Sequence, residues 1–294
     1  MAAELTIRDV FDLRLAEVSG ICERPAGGGR PRQLLAVGDD SHELLAGDLT
    51  PAVPASFARH DLAPLLTGAG VETGKSSQWE GVDSDETGRV FVLREVPGTV
   101  FVFDPALERL LHILRLTVED DPGEQEAWDA DENALGEGLL LLRNGHLFVV
   151  KEEKPRQLLE FGLPGERPQG LHGDLLVADT GRFPTPEAPE ATFHMLSAWD
   201  LGGEALERVG DLSDVAVGPD GRVYLLSDES RCIARLQATV PPESGTVAVD
   251  RIWSLPERLR QPEGLVIGGD WDVLVAIDHP ERRDNLFRLD GLGP

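Results

Sequence analysis

Apolar residues in this chain gather in short runs fenced by Gly, Pro, Asp and Asn. No segment sustains a helical period, whereas runs such as Val90-Phe91-Val92-Leu93 and Thr99-Val100-Phe101-Val102-Phe103 have the composition and length of antiparallel strands. One unit shows the grammar. Gly81-Val82 opens a first strand, Glu86-Thr87-Gly88-Arg89 is a turn, the two runs just named are the second and third strands, and Leu110 to Leu116 is a fourth.

The unit recurs. Each copy opens on a polar residue, then Gly or Asp, then an aliphatic: Ser19-Gly20-Ile21, Glu80-Gly81-Val82, Glu137-Gly138-Leu139, Ser213-Asp214-Val215 and Glu263-Gly264-Leu265. An acid follows the next apolar run, at Asp39, Glu95, Glu152, Asp228 and Asp278. From the middle residue of the opening to that acid the offset is 14 in four copies (81 to 95, 138 to 152, 214 to 228, 264 to 278) and 19 in the first (20 to 39), where 26–30 is read as an inserted loop. Gly88, Gly145 and Gly221 each fall seven residues after the opening's middle residue, where a tight turn needs positive φ. A fixed offset repeated along a chain marks a repeat architecture, and four antiparallel strands per repeat predict an all-β fold, a single β-propeller over residues 1–294.

Five blades are the preferred count, with an insertion at about 162–209, and six the alternative. The sixth would use Leu175 to Asp179 as a second strand and pair Phe193–Leu201 with Leu206–Val209. The last copy has a third strand at Asn285–Leu289 and little chain for a fourth, so a strand at residues 3–13 is expected to close the ring and remove its exposed edge. Phe183–Pro189, rich in proline, and the acidic Val118–Asn133 are expected as surface loops.

Charge narrows the partners. With 27 basic against 53 acidic residues, the net charge of −26 repels nucleic acid and anionic membranes and favours cations. The Met1–Leu5 start lacks the basic and apolar segments of a signal peptide, and no stretch is long and apolar enough to span a bilayer, so a cytoplasmic location is expected. Cys22 and Cys232 are then expected as free, buried thiols.

In an antiparallel pair the start of one strand lies beside the end of its partner. The openings and the acids that follow them should therefore share one face, with the openings ringing the mouth of the central channel. That gathers Glu80, Glu137 and Glu263, with Glu95, Glu152 and Asp228 outside them, a donor set of oxygens that suits Ca²⁺ better than Zn²⁺. The alternative role for each outer acid is to cap its own turn by accepting backbone N–H bonds. Basic residues on this face are few: Arg94, Lys151, Lys154 and Arg231, in a chain with only three lysines. Arg94, Lys151 and Arg231 are ligand-binding candidates, with ion pairing to a neighbouring acid as the plainer role of Lys151. Trp79 could line the mouth and stack on a ligand, although core packing is the commoner use of the residue. His42 and His279 follow the acids of the first and last copies. Beside a cation either could act as general base for water, and otherwise each is a loop residue.

The motifs Trp79-Glu80-Gly81-Val82, Gly136-Glu137-Gly138-Leu139, Val150-Lys151-Glu152-Glu153-Lys154-Pro155, Leu226-Ser227-Asp228-Glu229-Ser230-Arg231 and Pro262-Glu263-Gly264-Leu265 resemble the SdiA-regulated family of bacterial propellers across nearly the whole chain. The resemblance implies a five-bladed propeller, a calcium site and distant kinship to NHL-repeat and lactonase-like propellers. The chain departs from the family in lacking the N-terminal membrane anchor of some relatives, in a longer segment after the third copy, and in Ile277-Asp278-His279-Pro280 where a Ser-Glu-Pro is usual. Three functions follow as expectations. The first is a calcium-binding propeller holding a small polar or phosphorylated molecule at the channel mouth. The second is a metal-dependent hydrolase of lactones, esters or phosphoesters. The third is a protein-interaction platform with a structural cation.

Overall fold

A computed structural model describes residues 3–49, 56–118, 136–152, 155–176, 181–203 and 207–294. Two N-terminal strands, β1 (Ala3–Glu4) and β2 (Thr6–Phe11), precede β3 (Val18–Arg24), β4 (Gln33–Gly38), β5 (Glu43–Asp48) and β6 (Ala58–Asp61). A six-residue helix, α1 (Ala63–Gly68), with proline at its start, leads to β7 (Trp79–Ser84), β8 (Val90–Arg94), β9 (Thr99–Phe103) and β10 (Leu110–Thr117). The third copy contributes β11 (Gly138–Leu141), β12 (Leu147–Lys151), β13 (Gln157–Gly162), the short β14 (Leu171–His172) and the long β15 (Glu190–Leu201). The fourth contributes β16 (Asp214–Val217), β17 (Val223–Ser227), β18 (Cys232–Leu236), β19 (Thr239–Val240), β20 (Gly245–Val247) and β21 (Val249–Ser254). The chain ends with β22 (Pro262–Ile267), β23 (Val273–Ile277) and β24 (Leu286–Asp290).

Among the described residues these strands fall into five antiparallel four-stranded sets, β3-β4-β5-β6, β7-β8-β9-β10, β11-β12-β13-β15, β16-β17-β18-β21 and β22-β23-β24-β2. The first strands of the sets touch in the cyclic order β3, β7, β11, β16, β22 and back to β3, so the molecule is a β-propeller with the openings innermost. The N-terminal segment closes it as expected, in two pieces. β2 pairs antiparallel with β24 in the register Thr6↔Asp290 to Phe11↔Leu286, and β1 runs parallel to the outer strand β21 of the preceding set. Apolar side chains fill the layers between neighbouring sets, for example Val150, Leu158 and Trp199 against Val215, Leu225 and Ala234.

The turns repeat as closely as the strands. Gly88, Gly145 and Gly221 have φ of 80°, 92° and 70°, and each donates its N–H to the carbonyl three residues back. In the last copy Trp271 takes the same position with φ 64° and the same bond to Gly268, its ring packed edge-on against Tyr224.

Between the third and fourth copies the structure corrects the sequence reading. Phe193–Leu201, half of a hairpin in the six-blade alternative, lies in one continuous strand, and Leu206 of its supposed partner lies outside the described residues. That strand is β15, the outer strand of the third set, whose first half also pairs parallel with β10 from Ile113↔Glu190 to Thr117↔His194. Phe183–Pro189 lies at the surface as expected over 184–189, but its first residue is an anchor. Phe183 is fully buried in the core between the second and third sets, and the Asp85 carboxylate accepts its backbone N–H. Residues 177–179 of the second strand in the six-blade alternative, and most of the acidic loop Val118–Asn133, lie outside the described residues. Cys22 and Cys232 are free and buried.

Candidate metal centre at the channel mouth

The opening motif places its three residues in three environments. In the first, second and fifth copies a β-bulge falls on the polar residue, which takes its side chain out of the alternation of the strand, while the small residue after it packs against the next set. Crowding there explains why it is small. A Cβ on Gly138 would lie 2.9 Å from the Val215 nitrogen and from Asp214 Oδ1, and one on Gly20 3.2 Å from the Glu80 carbonyl oxygen. In the fourth copy Asp214 replaces the glycine, and its carboxylate accepts the N–H groups of Val215 (2.7 Å) and Leu265 (2.6 Å), joining two neighbouring sets. The serine openings join neighbours too. Ser19 Oγ donates to the Trp79 carbonyl and Ser213 Oγ to the Pro262 carbonyl (2.7 Å).

The three glutamate openings instead turn into a cavity of about 380 Å³, lined by Glu80, Glu137, Glu263, Glu95, Glu152, Asp39 and Asp278, with Glu17, Ser19, Ser76 and Gln78. The outer acids are held there by backbone. The N–H groups of Asp39, Glu95 and Asp278 donate to the carbonyls of Glu17 (3.2 Å), Gln78 (2.9 Å) and Gln261 (2.8 Å). Those three carbonyls belong to residues with φ of 48°, 52° and 52°, left-handed conformations that non-glycine residues adopt at a cost of about 1 kcal/mol or more. Each stands three residues before its opening's glycine (17 to 20, 78 to 81, 261 to 264), an offset that could have singled out Glu17 and Gln78.

Such a cluster is electrostatically uncomfortable. Burial pushes the carboxyls of Glu80, Glu137 and Glu263 well above the ordinary range, and neighbouring carboxylates add to it: Glu95 for Glu80, Glu80 for Glu137, Asp228 for Glu263. Asp39 is pushed up to about 6 by burial and then by Glu17 and Asp278. Glu80 and Glu263 retain some contact with the cavity's solvent while protein encloses them, and Glu137 is buried. One oxygen each of Asp39 and Asp278 is buried without a hydrogen-bond partner. Glu17, Asp39 and Asp40 also bring carboxylate oxygens within 4.8 Å of one another.

Other expected site residues stand elsewhere. Asp228 raises the pKa of Glu263 but is not part of the cavity lining. Trp79 is wholly buried in the core between the first two sets, edge-on to His42 at 5.4 Å, because a β-bulge between Trp79 and Gly81 puts it in the same cluster as Val82 rather than in the mouth. Arg94 lies over the Phe101 ring at 5.0 Å, Lys151 is buried, and Arg231 is exposed on a left-handed turn. His279 Nδ1 accepts the Glu281 N–H at 3.0 Å, and neither it nor His42 lines the cavity.

The model of the SdiA-regulated family matches residues 129–280, just over half of the 294-residue chain and the part that holds the third to fifth openings. The chain belongs to the SdiA-regulated family. No curated protein matches this SdiA-regulated chain in sequence. Among solved structures it is similar to a streptogramin B lyase, with a TM-score of 0.50 and 11% identity over 96% of both chains. It is also similar to a luciferin-regenerating enzyme (TM-score 0.46, 11% identity, 95% of this chain and 80% of that one). The virginiamycin B lyase of Staphylococcus aureus with quinupristin gives a TM-score of 0.42 at 9% identity, over 93% of this chain and 68% of that one. Identity this low shows a shared fold alone.

Proposed function

We propose that this SdiA-regulated propeller binds a divalent cation of the calcium type in the acidic cavity, and that the cation presents an open position to a small polar ligand. Glu80, Glu137 and Glu263 would hold it, with Asp39, Asp278, Glu95 and Glu152 in reach of a bound ion or its waters. The observation that carries this reading is the convergence of three glutamate openings on one cavity in which buried oxygens of Asp39 and Asp278 lack partners. An all-oxygen donor set fits a hard cation, and a cation would relieve the repulsion that raises these pKa values. Bound there, it would supply charge to polarise an oxygen of the ligand.

Neither Arg94, Lys151 nor Arg231 lines the cavity. A phosphorylated molecule would therefore meet carboxylates everywhere except at the cation, and its binding should vanish with chelation. A hydrolytic role would need one of the glutamates with a raised pKa as base, since both histidines stand outside. Turnover of a lactone, ester and phosphoester panel, lost on chelation without unfolding, would establish that role. If chelation lowers the melting temperature of a protein inactive on that panel, the cation is structural and the propeller is a platform.

Calorimetric titration with Ca²⁺ tests the site itself. Glu137→Gln should weaken binding by about tenfold or more, whereas Glu187→Gln, on an exposed segment, should leave it unchanged. Equal affinities in the two variants would remove Glu137 from the site.

A further inference from the structure

The third residue of every opening also converges. Ile21, Val82, Leu139, Val215 and Leu265, one from each set, line a second cavity of about 420 Å³ toward the opposite ends of the inner strands. The same three-residue motif thus builds two chambers, a carboxylate one from its first position and an aliphatic one from its third. The second volume lies in the lower part of the roughly 300–1,000 Å³ range of small-molecule sites.

Polar groups in this chamber are few, and one is uncompensated. The Asp83 carboxylate accepts the N–H groups of Ser84 (2.7 Å) and Leu141 (3.1 Å), and among the described residues no basic side chain pairs with it. Burial pushes its pKa up to about 7. Glu23, at the rim, is already paired with Arg32 at 3.6 Å. Burial and then Asp83 hold the Cys22 thiol protonated, well above its usual range. An anion entering here would meet the Asp83 carboxylate with no basic side chain between them among the described residues, in a chain of net charge −26. A neutral apolar molecule would cover that carboxylate without offering it any polar partner. A ligand with an apolar body and one cationic end satisfies both the walls and the carboxylate.

We propose that this aliphatic chamber is a second binding site, for a small amphiphilic amine whose apolar body packs among Ile21, Val82, Leu139, Val215 and Leu265 and whose ammonium group pairs with Asp83. The site is independent of the acidic cavity and of any cation held there.

Phenethylamine, phenethyl alcohol and hydrocinnamate are suitable probes, titrated calorimetrically into the full chain saturated with Ca²⁺, above the pKa of Asp83. The amine should bind saturably at one site, about tenfold or more tighter than the alcohol, and the carboxylate should not bind. Asp83→Asn and Val217→Trp should each weaken the amine by about tenfold or more, the second by filling the chamber while leaving the bonds of Asp83 intact. Glu137→Gln should change it less than about twofold. Should Asp83→Asn fail to fold, Val217→Trp decides alone. The proposal is overturned by amine binding that Glu137→Gln or Ca²⁺ abolishes, since that places the amine in the acidic cavity. It is equally overturned by equal affinity for the three probes, by the absence of saturable binding, or by an unaltered Val217→Trp.

Discussion

Gly138 shows how tightly the single residue is constrained where sets meet. A methyl group there would stand 2.9 Å from Asp214 Oδ1, from Val150 Cγ2 and from the Val215 nitrogen, and backbone cannot move aside without shifting a strand. Gly81 occupies the same place in the second copy, yet its nearest neighbours would be 3.4 to 3.5 Å away. Gly138→Ala should therefore cost about 1–3 kcal/mol, and Gly81→Ala less than about 1 kcal/mol, since alanine also restricts the unfolded chain. Denaturant unfolding of the two variants measures the difference, and equal losses would contradict the contact geometry. The opening glycines were legible because their neighbours repeat with them. Trp271 was not, since a bulky side chain at φ 64° carries no sign of the turn it makes. Gln78 and Gln261 were missed for the same reason, although their fixed place before each glycine is visible once the conformation is known.

At the level of elements, the strands were readable because each alternates or runs apolar between turn residues, and Thr99–Phe103 matches to the residue. The pinned proline-rich segment was not, because its order comes from partners about a hundred positions away. Asp85 accepts Arg89 Nη2 at 2.5 Å and the Phe183 N–H at 3.3 Å, and Arg89 donates in turn to the Phe183 carbonyl and to Thr185 Oγ1 (3.2 Å). Asp85→Ala would leave Arg89 buried without its counter-charge, a loss of about 3–5 kcal/mol. Limited proteolysis should then cut within 181–189 well before the rest of the chain, while Ca²⁺ affinity stays as it was. Resistance equal to the parent's would mean that Phe183 alone holds the segment. The gathering of glutamates at the mouth was likewise foreseeable from antiparallel pairing, whereas the fates of Trp79 and Arg94 depended on which side of a strand each faced and what lay beneath.

Across the whole molecule, the raised carboxyls tie stability to proton and cation concentration together. Asp39 (about 6), Asp83 (about 7) and the three glutamates all bind protons more tightly folded than unfolded. Their contribution is complete below the ordinary carboxylate pKa of about 4 and is lost as pH rises through the folded values. In chelator, the melting temperature should therefore fall between about pH 5 and pH 8, and added Ca²⁺ should raise it most at the upper end. A melting temperature that climbs with pH in chelator, or a Ca²⁺ shift independent of pH, would contradict this coupling. The closing blade carries a different consequence. Leu13 donates its N–H to the side chain of Asn285, 272 positions away, and β2 completes the set begun by β22. During synthesis β2 leaves the ribosome long before β24 exists, so an early-made strand must wait unmatched until a late one arrives. The slowest event in maturation is then expected to be this end-to-end clasp, and a destabilised β24 would leave newly made chains open to swapping N-terminal strands with one another.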